Sequence, residues 1–311
     1  MAYENTVELL EKYEAVMVLS GVLDALGYKN GLWEFCYSGT QIHEELEKLG
    51  GLDKIDIKEW RISDDTVLHI ATAEAMDNNG RVIEHYGYKV QEDMCCAEDM
   101  WERAPGQTTT KACFMLQRLE EKGYIIPFNE RGGGCGAAMR SMCIGLMFPC
   151  EDQIEMLIEI SVESGRMTHN HPTGYLGAVT AALNTAYAIQ KIVFYPKMSE
   201  PTFPVTYNIP ERDAFYKSVS YAGWGGSSGH DAPMIAYDAL MMAKDSWFQL
   251  CSCSMFHGGD SDSTGILAAA WWGGMYGMKG VPLGNYRNLE YGLRLIELSK
   301  NILNALKKIR K

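Results

Sequence analysis

The sequence predicts an all-α protein, a single compact domain of packed helices over residues 1–311. Three observations carry that expectation. Apolar residues recur at helical spacing along most of the chain, strand patterns are few, and glycines gather where the helices begin.

Residues 8–25 open the chain with Leu9, Leu10, Tyr13, Val16, Met17 and Leu19 near a 3.6-residue period. A second helix runs from Asp64 or Asp65, either of which can cap it, to Met76, and is apolar nearly all round. Residues 137–147 form a short apolar helix. Residues 153–163 are amphipathic, with Ile154, Leu157, Ile158 and Ser161 on one face. Residues 173–190 are alanine-rich and buried in character. A long helix is expected over 231–255, with Pro233 in its first turn, where proline is tolerated. Helices over 263–278 and 288–307 complete the set. The clearest strand candidate, 124–128, is short and interrupted by Pro127. Without alternating strand and helix units, a doubly wound sheet is excluded.

Composition narrows the function classes. Hydrophobic residues at 47% and charged residues at 22% are ordinary globular values. A net charge of −12 is the wrong sign for gripping a nucleic-acid backbone. The basic run Lys307, Lys308, Arg310 and Lys311 reads as a solvated helix end. The nine cysteines contain no C-x-x-C pair, which points to reduced thiols in a cytoplasmic protein. The acidic N-terminus lacks the order of a signal peptide, and 263–278 falls short of the roughly 20 apolar residues of a membrane span. No membrane and no nucleic-acid partner is expected, and the chain is expected to be a monomer.

Two carboxylate clusters each open an apolar helix: Ser63-Asp64-Asp65-Thr66 and the run Asp260-Ser261-Asp262-Ser263-Thr264. One acid at a helix start needs no explanation beyond capping and the dipole. Carboxylates adjacent or two apart repel, and a divalent cation relieves that repulsion. Four aspartates balance two divalent ions. Carboxylate and hydroxyl oxygens select a hard metal, Mg2+ or Mn2+, over zinc. The candidate ligands are Ser63, Asp64, Asp65, Asp260, Asp262 and Ser263, and two ions so held could polarise a substrate oxygen and activate a water.

Four glycine clusters stand at helix entrances: Gly132, Gly133, Gly134 and Gly136; Gly174 and Gly177; Gly223, Gly225, Gly226 and Gly229; Gly258 and Gly259. Each alone reads as a tight turn. Together they suit an anionic ligand such as a diphosphate. Other patterns are weaker. His169-Asn170-His171 lacks a third zinc ligand, His69 reads as a core histidine and Trp271-Trp272 as core. The G-x-G-x-x-A match at Gly132 lacks a clear strand before it, and Cys135 has no nameable catalytic partner.

In these motifs the chain resembles the ADP-ribosylhydrolase family, within which it looks most like the ADP-ribosylarginine hydrolases. The resemblance rests on Asp24-Ala25-Leu26-Gly27-Tyr28, Trp33-Glu34-Phe35, Ser63-Asp64-Asp65-Thr66, Arg103-Ala104-Pro105-Gly106, Gly133-Gly134-Cys135-Gly136-Ala137-Ala138-Met139-Arg140, the segment 163–174, the segment 223–233 and the run from Asp260 to Thr264. It implies an all-α, orthogonally packed domain with a two-magnesium centre on the six ligands named above. It also implies ADP-ribose and proteins mono-ADP-ribosylated on arginine as partners. The ADP-ribose would lie against Arg103, Ala104, Pro105 and Gly106; Glu130, Gly132, Gly133 and Gly134; Ser164, Gly165, His169 and Gly174; and Tyr221, Gly223, Trp224, Gly225, Gly226, Ser227 and Ser228. Asp64 or Asp65 is the expected catalytic base, and Glu34 could reach the site. All four aspartates are kept, which favours an active hydrolase over a silent ADP-ribose-binding relative; action on another linkage, such as serine, stays open. The chain departs from the family at Leu23, where a glycine is usual, and in two shortened stretches, 79–95 and 191–200.

Overall fold

The computed structural model describes residues 6–76, 100–117, 120, 122–192, 208–221 and 223–310. These form twelve α-helices: α1 (Thr6–Tyr28), α2 (Gly39–Lys48), α3 (Asp64–Met76), α4 (Gln107–Cys113), α5 (Met142–Met147), α6 (Ile154–Arg166), α7 (Pro172–Ile189), α8 (Ile209–Val219), α9 (Asp231–Ala243), α10 (Trp247–Ser254), α11 (Ser261–Tyr276) and α12 (Gly292–Ile309). Short 3-10 turns join some of them. No β-strand occurs among the described residues, only isolated bridges at Cys36–Gly259, Gly134–Ser228 and Gly225–Gly259. The all-α expectation holds.

The axis of the fold is α1 against α11, the most extensive helix pairing. A Cβ on Gly27 would lie 2.9 Å from the backbone of Asp262, and one on Gly273 would lie 2.8 Å from that of Ala15. Those two contacts fix an antiparallel pair in which small residues bring the backbones together. They also place the end of α1 that carries Asp24 beside the end of α11 that carries Asp262. Around this pair, one continuous cluster of buried apolar side chains draws on α1, α2, α3, α5, α6, α7 and α9 to α12. Trp271 and Trp272 lie fully inside it, with their indole N–H groups donating to Ala181 O and Lys244 O. His69 is likewise a core residue, between Met17 Sδ and Arg140 O, and burial lowers its pKa to about 4.

Several expected elements are corrected. The single helix over 231–255 is two, α9 and α10, because Lys244 leaves the helical region at φ 50° and Ser246 restarts the chain by accepting from Gln249 N at 3.3 Å. The helix expected over 137–147 is a 3-10 turn at Cys135–Ala137 followed by α5 alone. Residues 125–129 are irregular rather than a strand, and the Ile126 carbonyl accepts from Asn170 Nδ2 at 2.8 Å instead of entering a ladder. The G-x-G-x-x-A reading loses its strand with it. Three helices, α2, α4 and α8, went unexpected. The stretch 79–95, most of 191–200, and Cys95 and Cys96 lie outside the described residues.

Of the basic run, Lys307, Lys308 and Arg310 are exposed at the end of α12, and Lys311 lies outside the described residues. Each cysteine among the described residues is a free thiol. No described helix is long and apolar enough to cross a membrane.

Candidate functional site

Asp24 is fully buried, in a turn of α1 with Leu23, Ala25 and Leu26. A carboxylate there needs donors, and it finds them at the start of α3. It accepts from Ser63 N at 3.0 Å and Thr66 N at 3.1 Å, and the Thr66 hydroxyl donates to it as well. Ser63 Oγ accepts from Asp65 N at 3.1 Å. The orphan N–H groups at the start of α3 are therefore met by Arg103 O at Asp64, by Ser63 Oγ at Asp65 and by Asp24 at Thr66. Asp64 and Asp65 are not spent on capping, contrary to the expectation that one of them caps this helix.

The second cluster is built on the other side. Asp260 precedes α11, and its N–H donates to Gly225 O at 2.9 Å. Asp262 Oδ1 accepts from Ser263 N at 3.0 Å, and Ser263 Oγ donates to Asp65 Oδ2 at 2.9 Å, joining the two clusters. Glu34, Asp260 and Asp262 each place a carboxylate oxygen within 4.8 Å of the other two. Cys135 Sγ donates to Asp260 Oδ2 at 3.4 Å and lies 3.4 Å from Ser263 Oγ.

The electrostatics of this centre are one-sided. Burial, reinforced by Asp24 and Asp260, pushes Asp64 well above the carboxylate range, and burial with Asp64, Asp24 and Asp260 does the same to Asp65. Asp262 is raised by burial, then by Glu34, Asp65 and Asp260. Burial, then Asp260 and Asp64, pushes Glu34 up to about 9. Burial raises Asp260 against hydrogen bonds that lower it. Buried carboxylates whose strongest charged neighbours are other carboxylates ask for a cation. The donor set of oxygens, with a single thiol on Asp260, fits a hard divalent ion. The histidine pair does not compete: His171 Nδ1 caps α7 by accepting from Thr173 N at 3.1 Å, while His169 Nδ1 meets Thr168 Oγ1 at 2.9 Å.

The segments expected to hold substrate converge on this centre. Arg103 O accepts from Asp64 N at 3.1 Å, and a backbone hydrogen bond from Gly106 reaches the Asp64 carboxyl. Ala104, at φ 56°, bends the chain between them ahead of Pro105. The Arg103 guanidinium turns away, donating to Glu290 at 2.7 and 2.9 Å and to Ile62 O. Glycine loop 132–136 pairs with 227–229 through Cys135 N to Ser227 O at 3.2 Å and Gly229 N to Gly133 O at 3.0 Å. Behind it stand His169, whose ring a Cβ on Gly136 would meet at 2.6 Å, and Gly174, where a Cβ would strike Gly132 O at 2.3 Å. Ser164 and Gly165 end α6 nearby. Ser228 bonds Asp231 through both its N–H and hydroxyl.

The glycines divide into two kinds. Gly174, Gly229 and Gly259 are required by backbone packing, and Gly226 by both its φ of 101° and the nearness of Asp260 O. At Gly223 no atom lies within 4 Å of where a Cβ would stand, and only its φ of 80° calls for glycine. Trp224, between Phe35 and Tyr37 at ring separations of 5.7 and 5.0 Å, marks the outer edge of this loop. Tyr221 and Glu130 are exposed.

A family model described as ADP-ribosylglycohydrolase matches residues 5–310. The chain belongs to the ADP-ribosylglycohydrolase family. ADP-ribosylhydrolase ARH1 of Dictyostelium discoideum is 38% identical to it, over 94% of each chain. That alignment runs to 371 positions against a chain of 311, so this relative carries residues with no counterpart here. A protein of Acanthamoeba polyphaga mimivirus named as an ADP-ribosyl glycohydrolase is 29% identical over 82% of this chain, which spans 62% of that relative. A solved structure titled ADP-ribosylglycohydrolase-related protein complex superposes with a TM-score of 0.70 at 19% identity, covering 96% of this chain and 99% of its own. It supports the fold. Membership of this family makes the chain a glycosidase-type hydrolase that acts on ADP-ribosyl bonds.

Sequence reasoning placed Asp24 in a motif but gave it no role. The available signal was a lone carboxylate in an otherwise apolar helix, which has to meet a donor from elsewhere. Glu290 and Asp213 carried no such signal.

Proposed function

We propose that this ADP-ribosylglycohydrolase releases ADP-ribose from arginine side chains of modified proteins, using two Mg2+ ions, or Mn2+ in their place. The observation that carries the reading is the joining of both acidic clusters by Ser263 and Asp65, with Glu34 beside Asp260 and Asp262. The arginine linkage is supported by the name and 38% identity of the Dictyostelium relative and by the excess of buried carboxylates, which suits a cationic guanidinium.

Asp64, Asp65, Asp260, Asp262, Ser63 and Ser263 would hold the ions, with Glu34 as an added carboxylate. Bound there, the ions would supply charge stabilisation and a more acidic water. Asp64 or Asp65 would take the proton from the water that attacks the ribose anomeric carbon, as positive charge builds on the sugar ring. Ser263 fixes the rotamer of Asp65 through its hydrogen bond, and Asp24 fixes the backbone on which Asp64 and Asp65 stand. The loops 132–136 and 223–229 would face the diphosphate with the backbone N–H groups left over once Gly132, Cys135, Ser227, Ser228 and Gly229 have met their partners in the protein.

Paired assays on one peptide carrying ADP-ribose on arginine or on serine test the proposal, each in Mg2+ and in EDTA. Release from arginine in Mg2+ alone is expected. Equal release in EDTA would overturn the metal dependence, and preferential release from serine would overturn the linkage.

A further inference from the structure

Asp213 stands on α8, an element outside both acidic clusters, and its carboxylate is buried. It accepts from Gly39 N at 3.2 Å through Oδ2 and from Gly258 N through Oδ1, and Lys217 Nζ lies 3.3 Å away. Lys217 in turn donates to Tyr37 O at 2.6 Å. One carboxylate thus holds two chain segments that cross in close contact. A Cβ on Gly39 would lie 2.8 Å from Phe256 O, and one on Gly258 would lie 2.9 Å from Tyr37 O. Nothing larger than glycine fits at either point.

The crossing continues directly into the acidic centre. Next to it, Phe35 N donates to Gly259 O at 2.7 Å and Gly259 N donates to Cys36 O at 3.1 Å. The residues that follow on the two segments are Glu34 and Asp260, whose carboxylates lie within 4.8 Å of each other. Gly39 is also the first residue of α2, and the residue before it, Ser38, makes no side-chain cap. Asp213 therefore satisfies an orphan N–H of α2 and a loop N–H at Gly258 with the same group.

We infer that Asp213 is a positioning residue: by clamping Gly39 to Gly258 it sets the separation of Glu34 and Asp260 and so the affinity of that half of the centre for a divalent cation. The inference rests on the metal reading proposed above. Carboxylates that repel each other stay at ligand spacing only if their backbones are held, and Asp213 with Lys217 anchors the crossing from outside, beyond the two backbone bonds at Gly259 and with no contact to the carboxylates themselves. Outer groups of this kind change metal affinity when removed.

The test is Mn2+ binding to the purified full chain, followed by the electron paramagnetic resonance signal of the free ion, with ADP-ribose affinity and circular dichroism measured alongside. Asp213→Asn is expected to keep its helical signal and its ADP-ribose affinity and to bind Mn2+ about ten-fold more weakly at its weaker site. Lys217→Met, which leaves both backbone donors on Asp213 but releases Tyr37 O, is expected to show a smaller loss. Folded Asp213→Asn with Mn2+ affinity equal to the parent chain would overturn the inference and leave the two-metal reading standing. A parent chain that binds no Mn2+ would overturn both. If Asp213→Asn does not fold, Lys217→Met decides: weakened Mn2+ binding supports the clamp, and unchanged binding overturns it.

Discussion

Ser263 Oγ donates to Asp65 Oδ2 at 2.9 Å, a bond between residues 198 positions apart. It closes the start of α11 on the start of α3. Asp64 and Asp65 make no cap in α3, and at the start of α11 Asp260 makes none while Asp262 accepts from Ser263 N through Oδ1 alone; the antiparallel α1–α11 pair holds the two starts at one point.

Removing a carboxylate from this point has opposite effects on activity and on stability. Asp64→Asn, Asp65→Asn and Asp262→Asn are each expected to lower ADP-ribose release at least about 100-fold. Each is also expected to raise the melting temperature of the metal-free protein, since it removes a buried like charge. Turnover assays and thermal melts in EDTA check the two together.

Asp24 works in the other direction. Asp24→Ala strands the N–H groups of Ser63 and Thr66 in the interior, and it is expected to cost about 1–3 kcal/mol of stability. Urea denaturation of the metal-free variant and parent gives the difference.

The raised carboxylates set a pH dependence. Burial lifts Asp24 to about 6, against hydrogen bonds from Thr66 and Ser63 that lower it, and Glu34 is lifted to about 9. A folded-state pKa above the unfolded one means that the native chain binds more protons between the two values. The contribution of these two carboxylates to the stability of the metal-free protein is then full below about pH 4 and is lost as pH rises through about 6 and on to about 9. Above the range in which the buried histidines titrate, melting temperatures in EDTA are expected to fall from about pH 7 to about pH 9 as Glu34 ionises, and Mg2+ to narrow the fall by supplying the missing positive charge. A stability in EDTA that rises between about pH 7 and about pH 9 would contradict this.

The break between α9 and α10 stores strain at a removable point. Lys244 sits at φ 50° and ψ −123°, a region open to glycine. Lys244→Gly is expected to stabilise the protein by about 1 kcal/mol, read from thermal melts with activity unchanged.

What the sequence disclosed and what it withheld follow one physical division. Helices α1, α3, α7, α11 and α12 announced themselves through apolar period, and the two acidic clusters through charges packed closer than capping requires. Helix α8 carries too little apolar repetition to be seen, and in α2 the period is there, at Ile42, Leu46 and Leu49, but spans only two turns among polar residues. Their role depends on Asp213 meeting Gly39 and Gly258, contacts made only after folding. The glycine clusters did mark one region, but most of them answer to backbone crossings such as Gly226 with Asp260 O. Arg103 was expected at the substrate; its guanidinium meets Glu290, 187 residues away, which no local pattern could show.

The most direct measurement of the central claim is an anomalous-scattering map from crystals of the full chain grown with Mn2+. Two peaks are expected about 3.5–4 Å apart, each within bonding distance of carboxylate oxygens drawn from Asp64, Asp65, Asp260 and Asp262. No peak at this point, or peaks bound elsewhere, would contradict the account.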